Sequence, residues 1–194
     1  MMRIITGKAR GVRLATLSGE NTRPTSERAK EAIFSILQFD IQGKRVLDLF
    51  AGSGQMGLEA ISRGADSAVL CDRSKEAIEV IRANAAKTRL LPSCEILCMD
   101  YQVALRNLRR QHGFDLVFLD PPYALGVLPA VLRILTESRL LAQGATVVCE
   151  TADEKDVFGG DAALAASFEV MRSARYGAAF VTILRLRDEC EVAE

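Results

Sequence analysis

One histidine, five cysteines and no long apolar run limit what these 194 residues can do. The single histidine, His112, follows Arg109, Arg110 and Gln111 at what reads as a helix end. A solvated residue there is favoured by the helix dipole, which leaves no histidine general base. The cysteines (Cys71, Cys94, Cys98, Cys149 and Cys190) follow no paired-ligand spacing. Cys94 and Cys98 fall within one apparent strand, so the pair makes a poor zinc half-site, and buried reduced thiols are expected. No stretch reaches the ~18 apolar residues of a membrane span, and the N-terminus lacks a signal-peptide core. A soluble, cytoplasmic chain is expected, with no metal.

The length suits one domain, with a small appendage at most. An apolar fraction of 49% is enough for one large core. Net charge is zero, but it is unevenly spread. Residues 1–30 hold seven basic side chains (Arg3, Lys8, Arg10, Arg13, Arg23, Arg28, Lys30) against Glu20 and Glu27. That surplus suggests an anionic partner, with nucleic acid the leading class.

Arg3–Thr6 and Val12–Thr16 read as short strands joined by a basic hairpin turn, Gly7–Gly11. Thr25 is placed as the cap of an amphipathic helix over 26–38. Strand and helix then alternate. Strands are expected at 45–50, 68–71, 94–99, 114–119 and 145–149. Helices are expected at 55–63, 75–87, 102–110 and 127–137. The pattern predicts an α/β, Rossmann-like fold, a mostly parallel seven-stranded sheet covered on both faces. Residues 151–167 carry no clear pattern. Two strands, 168–173 and 177–186, close the chain. Residues 1–40 are expected to form an extension to a domain spanning 41–194.

The first strand runs into Asp48-Leu49-Phe50-Ala51-Gly52-Ser53-Gly54-Gln55-Met56-Gly57. Gly52, Gly54 and Gly57 satisfy a dinucleotide-binding spacing, with Asp72 ending the next strand. A nicotinamide-dependent oxidoreductase is therefore one candidate. Against it, Asp48 would repel a pyrophosphate but accept hydrogen bonds from an ammonium group. Asp100 ends the third strand and Asp120 the fourth. Acidic strand ends along one sheet edge suit a cationic nucleoside ligand, and S-adenosylmethionine has that chemistry.

The fourth strand, Phe114–Leu119, ends in Asp120-Pro121-Pro122-Tyr123. An exocyclic base nitrogen has its lone pair drawn into the ring. It attacks a methyl donor only when acceptors pull on its hydrogens. Asp120 supplies one acceptor. The Pro121 carbonyl supplies a second, since proline fixes its own φ and restricts the residue before it. Tyr123 can stack on the base. The same tetrapeptide suits guanine N2, adenine N6 and a protein glutamine amide. Two alternatives remain: a stiff turn that only closes the strand, and a non-catalytic RNA-binding module that keeps the fold.

Taken together these motifs resemble the class I S-adenosylmethionine-dependent methyltransferases, and most closely the bacterial RsmD family. The resemblance spans nearly the whole chain. It rests on Arg3–Gly7 with Arg10-Gly11 and Leu14, on Thr22-Arg23-Pro24-Thr25 with Arg28, on Asp48–Gly54 with Gly57–Ala60, and on Asp120–Tyr123. It implies methylation of guanine N2 in 16S ribosomal RNA, at guanine 966. It also implies cofactor contacts at Asp48, Phe50, Gly52, Ser53, Gly54, Asp72, Arg73, Asp100 and Tyr101. The catalytic motif would be Asp120, Pro121, Pro122 and Tyr123. RNA contacts would come from Lys8, Arg10, Arg13, Arg23 and Arg28, although Arg23 and Arg28 also suit pairing near the cofactor. The partner would be the small ribosomal subunit or an assembly intermediate. Nothing in the sequence demands a dimer, so a monomer is expected.

Overall fold

The computed structural model describes residues 2–17, 27–109 and 113–188. Thr22–Thr25, His112 and Cys190 lie outside them. The seven strands are β1 (Arg45–Asp48), β2 (Ser67–Asp72), β3 (Cys94–Cys98), β4 (Phe114–Leu119), β5 (Leu141–Thr151), β6 (Phe168–Tyr176) and β7 (Ala179–Leu186). They form one sheet in the order β3-β2-β1-β4-β5-β7-β6. The helices are α1 (Glu27–Ile36), α2 (Gln55–Ser62), α3 (Lys75–Lys87), α4 (Tyr101–Leu108), α5 (Leu128–Glu137) and α6 (Ala162–Ala166). The expected α/β architecture is present. By its contacts the chain divides into two compact units, residues 1–104 and 105–194.

In the first unit, β1 pairs parallel with β2, and β2 with β3. β3 is an edge strand, which explains why Cys98 is exposed, contrary to the expectation of buried thiols. Cys71 and Cys149 are buried, and burial pushes each thiol up to about 12. The N-terminal hairpin is slighter than expected: a single antiparallel bridge, Arg3 to Arg13, replaces two strands.

Every residue of α2 is buried, including Gln55, Glu59 and Ser62. A helix with polar residues can be buried all round only if those groups find partners. Here the hairpin supplies them. The Glu59 carboxylate accepts from the Ile5 and Thr6 N–H groups at 2.8 and 3.0 Å. It also pairs with Lys30 of α1 at 3.0 Å and with Arg63 at 2.8 Å. All four of its acceptor sites are thus used. Ser62 takes the next stretch: its hydroxyl donates to the Thr6 carbonyl and accepts from the Ala9 N–H. Gly7 is obligatory beside it. Its φ is +86°, and a Cβ there would lie 1.7 Å from the Ser62 carbonyl oxygen.

Lys30 belongs to the basic surplus of residues 1–30, but its charge is not open to a partner. It is 1% exposed. Its ammonium donates to the Arg3 carbonyl as well as pairing with Glu59. Burial pulls its pKa down and the Glu59 charge pushes back.

In the second unit, β4 and β5 run parallel, and β7 is antiparallel to both β5 and β6. β5 starts four residues earlier than the sequence suggests. Its register against β4 shifts between Phe114 and Leu116, and Gly144 takes a φ of +64° in that stretch, as a bulge allows. α5 buries Leu128, Val131, Leu132 and Leu135 at helical spacing. The unpatterned stretch 151–167 holds a 3-10 turn at 154–156 and the five-residue α6. Asp161 caps α6 and pairs with Arg133 of α5.

Glu59→Ala strands the buried Lys30, the half-buried Arg63 and two backbone N–H groups at once. It should cost about 3–5 kcal/mol of stability by urea denaturation. A loss below about 1 kcal/mol, the scale of a surface ion pair, would show the carboxylate to be dispensable.

Candidate cofactor and catalytic sites

The loop after β1 is shaped by its glycines. Gly52 and Gly54 take φ of +53° and +76°, a region open to glycine and strained for other residues. Gly57 is needed for packing: a Cβ there would approach Leu70 Cδ2 to 2.9 Å. The Gly52 N–H donates to Asp72 Oδ2 and the Ser74 N–H to Asp72 Oδ1, each at 2.9 Å. Asp72 therefore ties the β1 loop to the start of α3, which Ser74 caps through the Ala77 N–H.

Asp48 decides between the two ligand classes. It is 4% exposed, and its Oδ2 accepts from the Gly57 N–H at 3.0 Å. Gly54 is the N-cap of α2, so Gly57 is its third residue. The helix N-terminus, where a dinucleotide would place its pyrophosphate, is already occupied by a carboxylate. Burial pushes the Asp48 pKa from 3.8 up to about 7, the Gly57 N–H lowers it and the Asp72 charge raises it. A buried acid of this kind gains from a cation and loses from a phosphate.

Asp100 is exposed and caps α4, accepting from the Gln102 N–H at 2.9 Å. Phe50 and Tyr101 bring their rings to 5.5 Å, tilted at 45°. Arg73 is exposed beside Asp72. Ser53 is buried, and its hydroxyl donates to Met2 Sδ at 3.2 Å. The buried Asn84 of α3 donates to the carbonyls of both Ser53 and Ala15, and accepts from the Ala15 N–H. The sequence reading missed Asn84. It stands in a helix that looks purely amphipathic, and nothing in its spacing marks it.

In the second unit, Asp120 follows the last residue of β4 and is half-buried. Pro121 is buried and Pro122 exposed. Tyr123 opens a 3-10 turn, Tyr123–Leu125, closed by Gly126 at φ +55°. The Tyr123 hydroxyl donates to Glu150 Oε1 at 2.8 Å. Glu150 was also missed, because β5 was ended two residues short, at Cys149 rather than Thr151. An acid directly after the apolar run Val147-Val148-Cys149 was the available signal.

Of the expected RNA contacts, Lys8, Arg10 and Arg13 are exposed on the hairpin and Arg28 is exposed at the start of α1. Arg23 lies outside the described residues. No helix among those described is long and apolar enough to cross a membrane.

Comparison with known proteins agrees with this chemistry. Residues 2–185 match the family described as "Conserved hypothetical protein 95". Over 155 residues the chain is 33% identical to the ribosomal RNA small subunit methyltransferase D of Haemophilus influenzae, covering 79% of this chain and 80% of that one. The Escherichia coli K12 protein of the same name is 32% identical over 150 residues, covering 77% and 74%. A solved structure described as "Putative methyltransferase yhhF from Escherichia coli" aligns with a TM-score of 0.81. It has 26% identity and covers 96% of this chain and 98% of that one. The fold and the acidic, glycine-rich strand ends define a class I methyltransferase that uses S-adenosylmethionine. Within that class the chain belongs to the RsmD family.

An ammonium group bound at Asp48 would leave a pH signature. The fold favours its protonated form, so stability falls as pH rises from about 4 to about 7 and is level above that. A bound ammonium favours the anion. Affinity for S-adenosylhomocysteine, measured by calorimetry, should rise with pH up to about 7, by at most tenfold per unit, and then level. Asp48→Asn should weaken binding, flatten this profile and raise the melting temperature at pH 8. A parent-like profile in the variant would remove Asp48 from the cofactor site.

Proposed function

We propose that this enzyme methylates the exocyclic N2 of a guanine in 16S ribosomal RNA, at guanine 966. The relatives are named as methyltransferases of the small-subunit ribosomal RNA, and we extend that substrate to this chain. It would act in the cytoplasm as a monomer, on the small subunit or an assembly intermediate. The observation that carries this reading is the Asp120-Pro121-Pro122-Tyr123 end of β4, with the Tyr123 ring tethered through its hydroxyl. Such an end offers acceptors and a flat ring to an amino group that is not basic.

S-adenosylmethionine, when bound, supplies an electrophilic sulfonium methyl group. The protein's part is to hold and orient. Asp48, Phe50, Gly52, Ser53, Gly54, Asp72, Arg73, Asp100 and Tyr101 would hold the cofactor. Asp48 would meet the ammonium, Asp72 the ribose diol, and Asp100 with the Phe50 and Tyr101 rings the adenine. Asp120 and the Pro121 carbonyl would accept the two amino hydrogens, directing the nitrogen lone pair toward the methyl group. Pro122 stiffens the turn. Asp120 also stabilises the positive charge that develops on nitrogen, an electrostatic role. Alignment at near-attack distance contributes ~7–11 kcal/mol in well-ordered systems. Stacking on Tyr123 adds about 1–3 kcal/mol.

The target base must leave its stack, as single-stranded loops permit. The extension over residues 1–40 would hold the phosphates around it through Lys8, Arg10, Arg13, Arg23 and Arg28. Lys30 takes no part in this, being buried against Glu59.

Methyl transfer to small subunits lacking their native modifications, followed by nucleoside digestion, should place label in N2-methylguanosine. Label in N6-methyladenosine would overturn the substrate atom and leave the class intact. Asp120→Asn should lower kcat by about 10²–10³-fold with S-adenosylhomocysteine affinity unchanged. A near-parent rate would remove Asp120 from the mechanism. RNA affinity should fall with salt, and neutralising Lys8, Arg10 or Arg13 singly should reduce the slope of log affinity against log salt by about 0.7 each. A slope unchanged in all three variants would take RNA off the hairpin.

A further inference from the structure

We propose that Glu150 is a positioning residue for methyl transfer, holding the Tyr123 ring in the orientation that stacks on the target base. The inference rests on the stacking role given to Tyr123 above. A base stacks on the face of an aromatic ring, and a phenylalanine face would serve as well. The hydroxyl of Tyr123 is therefore surplus to stacking, yet it donates to Glu150 Oε1 at 2.8 Å.

The need for such a tether follows from the turn. Tyr123 begins a three-residue 3-10 element between Pro122 and Gly126. Its neighbours Pro122, Ala124, Leu125 and Gly126 are all exposed. A turn this short sets the backbone, and the hydrogen bond at the far end of the half-buried Tyr123 side chain fixes the ring as well. The other end of the tether is rigid. Glu150 is 8% exposed, lies within β5 and pairs in register with Val181 of β7. On the other side of β5, Cys149 pairs with Leu119 of β4. The next residues along those two strands are Glu150 and Asp120. The sheet thus sets the acceptor for the amino group and the anchor for the stacking ring by the same register. A buried carboxylate also needs donors, and the Tyr123 O–H is one.

Steady-state methyl transfer to ribosomal RNA by point variants tests this. Tyr123→Phe keeps the ring and removes the tether. Glu150→Leu keeps the volume and removes the acceptor. Glu150→Gln keeps an acceptor oxygen. Tyr123→Phe and Glu150→Leu should each lower kcat by about 10- to 100-fold, the scale of a misoriented reactant. The double variant should be no slower than the slower single. Glu150→Gln should stay close to the parent rate. Melting temperature and S-adenosylhomocysteine affinity should be unchanged in Tyr123→Phe, which carries the test should Glu150→Leu fail to fold. A parent-like kcat for Tyr123→Phe, or effects that multiply in the double variant, would overturn the proposal. If Tyr123→Ala also kept the parent rate, the stacking role itself would fall. A parent enzyme that methylates no RNA would instead sink the proposed function.

Discussion

Much of the first unit depends on one buried carboxylate. Glu59 is fully enclosed, and removing a charge from water is costly unless its partners are fixed. Its four donors come from the hairpin backbone, from α1 and from the end of α2. No single element could satisfy it. Satisfying it brings three elements together: α2 becomes buried all round, the hairpin lies along it, and α1 is held through Lys30. Arg63 extends the network, donating to the Phe34 carbonyl and lying 4.7 Å over the Phe34 ring. An apolar residue at 59 would pack, but it would not dictate where the hairpin goes.

Asp48 is the counterpart of Glu59, with the opposite balance. Glu59 meets two cations, whereas the hydrogen bond given for Asp48 comes from a single N–H. Its raised pKa measures the deficit. The loop thus keeps an acid in an environment that favours its neutral form. Sites shaped for binding often carry such local destabilisation.

The parts of the fold that were legible in the sequence have strong periodicity and clear boundaries. α3 and β4 match their expected ends, because Ser74 and Thr88 bracket one and Gly113 and Asp120 the other. The glycine loop and the acidic strand ends were legible for a different reason: few chemistries require those residues at those spacings. What escaped were residues whose role is tertiary. Glu59 looks like a solvent-facing helix residue until the hairpin covers it. Lys30 looks like surface charge until Glu59 is placed beside it. Asn84 and Glu150 each act through a partner far away in sequence, Ala15 in one case and Tyr123 in the other. The hairpin was over-read as two strands because its turn chemistry is strong; its arms do exchange backbone hydrogen bonds, Ile4 with Val12 and Leu14 with Met2, but it is also fastened to α2 through Glu59 and Ser62.

Asn84 gives the molecule a property that neither of its neighbours has alone. One side-chain amide fastens the backbone at Ala15 and the backbone at Ser53. The basic hairpin and the glycine loop therefore share an anchor in α3, beside the direct contact of Ser53 with Met2. Losing that one amide would therefore free the backbone at both places at once, although they lie far apart in sequence.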